Sequence, residues 1–101
     1  MAVTARIAAT KAAGNYEFTL ADNAKANFFA TNLSKDPLEE IIIEFKDSSG
    51  AYHQLYYEDK MANFVPAVLQ WERNSITIVG PIEARISKPL TIEDVEVSQH
   101  S

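Results

Sequence analysis

The C-terminal quarter of the chain decides the fold class, and it reads Ser75-Ile76-Thr77-Ile78-Val79-Gly80-Pro81-Ile82-Glu83-Ala84-Arg85-Ile86-Ser87-Lys88-Pro89. Its first part is rich in β-branched residues. After the Gly-Pro pair, apolar and polar residues alternate, as is typical of a strand with one buried face. The stretch therefore predicts two short β-strands joined at Gly80-Pro81.

Similar short segments, separated by turn signals, recur along the rest of the chain. Residues 3–10 are predicted to form an N-terminal strand, because Gly14-Asn15 follows as a turn. We expect this strand at a sheet edge or exchanged with a neighbouring subunit. Residues 40–46 predict the strongest strand, which returns through a hairpin at residues 47–50. A spacing of about ten residues favours a single antiparallel β-sandwich domain of about eight strands over residues 1–101, Ig-like or jelly-roll-like. Residues 98–101 are predicted to fray.

Composition excludes several classes of function. The chain has 101 residues, no cysteine and a net charge of −5, so disulfides and zinc-thiolate sites are excluded and a nucleic-acid partner is disfavoured. No window approaches the roughly eighteen apolar residues that a membrane-spanning helix needs. The N-terminus does not resemble a signal peptide. We therefore expect no membrane association and a cytoplasmic location, unless the protein belongs to a virion.

The sequence contains no recognisable catalytic grouping. Its two histidines, His53 and His100, have no nucleophile motif such as G-x-S-x-G beside them. The acidic clusters do not match a calcium-binding loop. We therefore predict that the protein is not an enzyme and uses no metal or cofactor. The alternative is a small enzyme that employs His53 with Glu58 or Asp59.

Large aromatic residues are concentrated in the middle of the chain. Since one strand face must be buried, the other is predicted to present tyrosine hydroxyls and ring edges at an interface with other proteins. Arg85 lies on a polar strand face and is predicted to be solvated or paired across strands. The alternative is a carbohydrate-binding module that uses Tyr52, Tyr56 and Trp71. The predicted interface residues are Tyr52, Tyr56, Tyr57, Phe64, Trp71 and Arg85.

The two ends of the chain differ in charge. Arg6 and Lys11 lie in an N-terminal segment without acidic residues, whereas residues 91–101 carry three acids and no Lys or Arg. This asymmetry predicts electrostatic pairing of the two ends, within one subunit or between neighbours.

The closing segments resemble those of small β-rich accessory proteins of phage virions. The resemblance rests on residues 76–81, Arg85, Lys88-Pro89 and residues 95–97, which together give an apolar strand, a Gly-Pro turn, a strand carrying Arg, a Lys-Pro corner and a short valine strand. Many such proteins have a second glycine where Ile82 stands here, which changes the expected turn. The resemblance implies a non-catalytic subunit of a capsid decoration, neck, tail or fibre attachment. It also implies a homo-oligomer that contacts larger virion proteins.

Overall fold

The computed structural model describes residues 3–59 and 61–101, with side chains described from residue 6 onward. Strands account for all the regular secondary structure of these residues, and there is no helix among them. The strands are β1 (Val3–Thr10), β2 (Gly14–Leu20), β3 (Lys25–Ala30), β4 (Ile41–Lys46), β5 (Tyr52–Gln54), β6 (Tyr56–Glu58), β7 (Phe64–Pro66), β8 (Val68–Leu69), β9 (Ser75–Val79), β10 (Ile82–Lys88) and β11 (Val95–His100).

The strands form two packed antiparallel sheets, which confirms the predicted β-sandwich. The first sheet has the order β1-β11-β3-β9, and the second has the order β2-β10-β4-β5, with β8 also paired to β4. A separate ribbon of two strands consists of β6 and β7. Both strands predicted from residues 75–89 are present, one in each sheet.

The order of pairing is that of a jelly roll. Strand β1 pairs with β11, β2 with β10, β3 with β9, and β4 with β8. The chain is thus one long antiparallel ribbon, wound so that successive strand pairs fall alternately in the two sheets. Strands β5 and β8 occupy one edge position of the second sheet, and the β6–β7 hairpin leaves the sheet between them. Nine of the eleven strands therefore fill the eight positions of a jelly roll, and β6 and β7 lie outside them.

The core lies between the sheets and contains the inward residue of each alternating pair. In β10, for example, Ala84 and Ile86 are buried, whereas Glu83 is exposed. The rings of Phe18 and Phe28 meet across the core with their centroids 4.6 Å apart. Burying side chains of this size stabilises the fold by roughly 1.5–3 kcal/mol each.

The C-terminal tail differs from the prediction. Residues 98–101 were expected to fray, but β11 continues to His100 and pairs with β1 on one side and β3 on the other. Ser98 and Gln99 are buried as a result. The prediction was wrong because the polar residues at this end gave no sign that neighbouring strands would flank them.

The charge asymmetry of the two ends is satisfied within the subunit. Strand β1 is one of the two edge strands of the first sheet, as its sequence suggested, and it runs antiparallel to β11. Arg6 Nε lies 3.6 Å from Glu96 Oε1. This exposed pair contributes roughly 0–1 kcal/mol to stability.

Gly80 is required by a close approach of two backbones at the β9–β10 turn. A Cβ atom at this position would lie 2.1 Å from the carbonyl oxygen of Ala21 and 2.8 Å from that of Leu20. We therefore expect Gly80→Ala to lower the free energy of unfolding by about 1–3 kcal/mol, through overpacking. Urea denaturation is the measurement.

Gly14→Ala is the matched control, since a Cβ at Gly14 meets no atom within 4 Å. A change of less than about 0.5 kcal/mol is expected at this half-buried first residue of β2, because the added methyl group meets no neighbour. Equal stability of the two variants would contradict the steric assignment.

Candidate docking surface

Four connections of the jelly roll meet at one end of the sandwich. The register shows this, because Thr10 at the end of β1 pairs with Val95 at the start of β11, and Lys88 at the end of β10 pairs with Gly14 at the start of β2. The end is formed by residues 11–13, 31–40, 70–74 and 89–94. The opposite end has the connections 21–24, 47–51 and 80–81.

Three of the four connections at the first end carry exposed apolar side chains, whereas those at the opposite end carry no large exposed hydrophobic residue among the described residues. Leu90 is the most open of this set, with 75% of its surface exposed. We call the set the apolar end, and it consists of Leu38, Trp71, Leu90 and Ile92. Clustered exposed apolar residues mark interaction sites more often than scattered ones do.

A buried carboxylate holds two of these connections together. Glu39 is only 7% exposed. Its Oε1 accepts a hydrogen bond from the Ser34 amide at 2.9 Å, and its Oε2 accepts one from the Ile92 amide at 2.6 Å. Hydrogen bonds to a charged group are stronger than neutral ones. Glu39 therefore fixes the positions of both Leu38, its neighbour in sequence, and Ile92.

A buried lysine fixes the third connection. Lys88 is 1% exposed, and its Nζ donates to the carbonyl oxygens of Thr10 and Ala12, the latter at 2.7 Å. Burial lowers the pKa of the Lys88 ammonium, and the charges of Asp94 and Glu39 oppose this shift. The Thr91 amide donates to the carbonyl oxygen of Lys11 at 2.8 Å. The β1–β2 turn is thus attached to the segment that carries Leu90.

The fourth connection carries Trp71, one of the predicted interface residues. The Lys35 ammonium lies 4.9 Å from the centre of the Trp71 ring. Gln70 Nε2 donates to Glu40 Oε2, which joins this connection to the β3–β4 loop. All four connections are therefore linked to one another, which leaves the apolar end with little freedom to rearrange.

The β6–β7 hairpin forms a second apolar surface and holds three predicted residues. Tyr57 and Val65 lie opposite each other on its inner face, and Tyr57 packs against the core. The outer face presents Tyr56, Phe64 and Pro66 to solvent, with Phe64 75% exposed. Tyr56 and Phe64 are therefore available for docking, whereas Tyr57 is mainly a core residue.

Tyr52 and Arg85 belong to a polar face of the second sheet. The Tyr52 hydroxyl donates to Glu17 Oε1 at 2.7 Å, and this bond raises the pKa of the phenol. The Arg85 guanidinium lies 3.9 Å from the centre of the Tyr52 ring, and Arg85 Nε donates to Glu44 Oε1 at 3.0 Å. Arg85 is thus paired across strands, as predicted.

The proposed sugar-stacking residues are dispersed over the surface. Arg85 occupies one face of the Tyr52 ring, and Lys35 occupies one face of Trp71. Tyr56 lies on the hairpin. A sugar ring stacks on an aromatic face that is free. The arrangement therefore gives the carbohydrate alternative little support.

His53 does not meet the carboxylates that the enzymatic alternative requires. Its Nε2 lies 2.6 Å from Asp47 Oδ2 in the exposed β4–β5 hairpin, whereas Asp59 Oδ1 accepts the amides of Met61 and Asn63 in a turn. Among the described residues, the His53 ring forms no hydrogen bond with a serine or threonine hydroxyl. His53 is instead paired with Asp47, and β5 ends before Leu55, so that Glu58 and Asp59 follow in the β6–β7 hairpin.

Sequence reasoning missed Leu38, Leu90 and Ile92. Leu38 and Leu90 each follow a proline in a connection, and an apolar residue directly after such a proline was the available signal. Neither Glu39 nor Lys88 could be recognised as buried, since each is buried by residues distant in sequence.

Within the described ranges, no group of three or more His, Asp or Glu residues is arranged to hold a metal ion. Nor do those ranges contain a helix that is long and apolar enough to cross a membrane. No family model, curated protein or solved structure matches this chain.

The buried Glu39 gives the first test of how the apolar end is held. In Glu39→Gln one of the two carboxylate oxygens becomes an amide that cannot accept, so a buried backbone N–H loses its acceptor. We expect the free energy of unfolding to fall by about 1–3 kcal/mol. Amide hydrogen exchange at Ser34 and Ile92 should also accelerate.

Glu93→Gln is the control, because Glu93 is exposed at the same end and its carboxylate makes no hydrogen bond to a described residue. If Glu39→Gln and Glu93→Gln were equally stable, Glu39 would not hold the connections.

Hydrogen bonds to the Asp47 carboxylate make the stability of the fold depend on pH. The pKa of Asp47 is held well below its ordinary value of 3.8 by hydrogen bonds with the Ser49 hydroxyl, the His53 ring and the Ala51 amide. Because the folded-state pKa is depressed, this stabilisation is fully present above pH 3.8 and is lost as the pH falls below that value. Asp47→Asn should therefore melt at a lower temperature than the wild type at pH 7.

The difference in melting temperature should narrow steadily as the pH is lowered from about 4 to 2. Asp22→Asn is the control, since Asp22 is exposed in a turn and makes no hydrogen bond or ion pair with a described residue. A difference between Asp47→Asn and wild type that does not depend on pH would refute the linkage.

Proposed function

We propose that this protein is a non-enzymatic structural subunit that works by protein–protein contact, with the apolar end as its main docking surface. The observation that supports this most directly is the combination of exposed apolar side chains with buried charged groups beneath them. Leu38, Leu90 and Ile92 remain exposed, while Glu39 and Lys88 hold the backbone that carries them.

Burying the Glu39 and Lys88 charges costs several kcal/mol each before their hydrogen bonds compensate. An apolar residue would fill the same space at lower cost, so stability alone does not explain this choice. Rigid loops lose less conformational entropy when they bind, which strengthens an interface. The buried charges are therefore better explained as supports for a docking surface.

The assembly is proposed to be a virion in which the subunit is repeated. Jelly rolls build many viral capsid and lectin domains, and the closing strands resemble those of phage accessory proteins. These are analogies of fold and pattern, which raise the plausibility of the proposal and assign no residue a role. The proposed partners are copies of the same chain and larger virion proteins, with no cofactor.

Leu90→Ser tests the apolar end. Because Leu90 is exposed, the substitution should leave the free energy of unfolding within about 0.5 kcal/mol of the wild type. It should weaken self-association at least about tenfold, which corresponds to roughly 1.4 kcal/mol. Sedimentation equilibrium measures this effect, and native mass spectrometry of material isolated from its source gives the subunit count.

Val79→Ser is the matched control, as Val79 is half exposed and lies at the opposite end of the sandwich. We expect it to leave self-association unchanged. Closed symmetry predicts a fixed number of copies in the isolated assembly. A chain that remains monomeric at high concentration and is recovered alone from its source would refute the proposed function.

A further inference from the structure

A cleft of about 300 Å³ separates the β6–β7 hairpin from the edge strand β9. Ile78 and Ile82 belong to or pack against the core and form an apolar base together with Leu55. The rims are residues 56–58 on one side and residues 77–79 on the other. Strand β7 does not line the cleft, so β6 is the hairpin strand that faces it.

Strand β9 turns unpaired backbone groups towards this side. The Ala30 amide donates to the Asn74 carbonyl, and the Gly80 amide donates to the Ala24 carbonyl. In an antiparallel ladder, bonded and non-bonded pairs alternate. Ile76 and Ile78 therefore bond to β3, while the N–H and C=O groups of residues 75, 77 and 79 point away from it.

Strand β6, on the other rim, also turns unpaired backbone groups towards the cleft. The Asp59 amide donates to the Asn63 carbonyl, and the Ala67 amide donates to the Leu55 carbonyl. By the same alternation, Tyr57 bonds to Val65, so the backbone groups of residues 56 and 58 point away from β7. Pro66, which has no N–H, accordingly faces Tyr56 in a non-bonded pair.

The two rims do not bond to each other. Neither strand pairing nor a separate backbone hydrogen bond joins β6 to β9 among the described residues. Tyr56, Glu58, Thr77 and Val79 thus present free backbone groups on both sides of one cleft. An exposed strand edge is a template for another strand, and here two such edges border an apolar base.

We infer that this cleft is a slot for an extended segment of a second protein, which would add as a β-strand between β9 and β6. Three residues on each rim correspond to about 10 Å of extended chain. Alternate side chains of the segment would contact the apolar base. Glu58 forms no ion pair or hydrogen bond with a described residue, so a Lys or Arg in the segment is favoured at that end.

A second copy's N-terminal strand is a poorer occupant than a segment of another protein. Strand β1 already pairs with β11 along its length, and Arg6 already pairs with Glu96. Moving β1 into the slot would forfeit those bonds and expose the edge of β11. The inference thus deepens the proposed function by specifying how a different protein binds, at a surface separate from the apolar end.

The first experiment measures amide hydrogen exchange of the isolated protein by NMR. The amides of Ile76, Ile78 and Tyr57 should be protected, because they lie within ladders. Those of Tyr56, Glu58, Thr77 and Val79 should exchange at least tenfold faster. Protection of all seven amides in the isolated chain would overturn the inference, since the slot would then be closed.

The second experiment adds a blocked peptide of sequence Thr-Val-Lys-Val-Thr-Val-Lys. Binding should slow exchange of the four slot amides at least tenfold and leave the amides of the apolar end unchanged. The same peptide with N-methyl groups on alternate residues lacks the donors of one edge and should not bind. Equal binding of both peptides, or no binding up to about 1 mM, would overturn the inference.

Thr77→Pro removes a slot donor and keeps the backbone hydrogen bonds of the β3–β9 ladder, because the Thr77 N–H points away from β3. The hydrogen bond from Asn27 Nδ2 to the Thr77 hydroxyl is lost in Thr77→Pro and in Thr77→Val alike. We expect it to weaken peptide binding at least tenfold, whereas Thr77→Val, which keeps the N–H, should change binding less than twofold. Glu58→Lys should shift the preference from the Lys peptide to its Glu counterpart and provides a test if Thr77→Pro does not fold. Unchanged binding in Thr77→Pro and Glu58→Lys would contradict the slot.

The two proposals fail separately. Leu90→Ser should leave peptide binding intact, and Thr77→Pro should leave self-association intact. Loss of the slot effects alone would therefore leave the apolar end standing as the docking surface.

Discussion

Strands from the first half of this chain pair with strands from the second half, and the rest of the structure depends on that constraint. Strand β11 lies between β1 and β3, and β10 lies between β2 and β4, so each of these two late strands bonds to two early ones. Their central position closes both sheets over one core. It also means that most of the ladder forms only after distant segments meet, which costs loop-closure entropy and is typical of slowly folding β proteins.

The same pairing distributes the surfaces. An antiparallel ribbon wound into a jelly roll brings alternate connections to one end, so segments remote in sequence become neighbours there. Glu39 and Lys88 can then act on backbone that is far from them along the chain, at Ile92 and Thr10. Between β4 and β9 the antiparallel ribbon reverses direction, and the β6–β7 hairpin lies in that part of the chain. The apolar end and the slot both lie where the wound ribbon leaves backbone without a neighbouring strand.

Much of the fold was predictable from the sequence, because alternation reports which face of a strand is buried. The pattern predicts strands at residues 3–10, 40–46 and 82–88, and the structure has strands over Val3–Thr10, Ile41–Lys46 and Ile82–Lys88. The break at Leu55 was not predictable, because Leu55 continues the alternation of β5 although its amide bonds to Ile43 at the point where the chain leaves the sheet. That break moved Tyr56 and Tyr57 onto a separate ribbon and separated them from Tyr52.

For the candidate surfaces, the sequence indicated the aromatic residues correctly. It did not indicate which side chains surround each ring. Trp71, Tyr56 and Phe64 are exposed, whereas Tyr52 is enclosed in a polar network. The difference arises from partners on other strands, such as Glu17 and Arg85, which alternation alone cannot assign. The apolar end was invisible for the same reason, since its four residues come from three different connections.

The two surfaces differ in the physics by which they would bind. The apolar end offers side chains on restrained loops, where affinity comes from burying apolar area and where one substitution removes one contact. The slot offers backbone groups, where affinity comes from directional hydrogen bonds and tolerates many sequences in the occupant. A subunit repeated many times in one shell needs self-contacts that are specific. A contact to a different protein, made through backbone, places fewer demands on that protein's sequence. The proposed assignment of self-association to the apolar end and of a foreign strand to the slot rests on that difference.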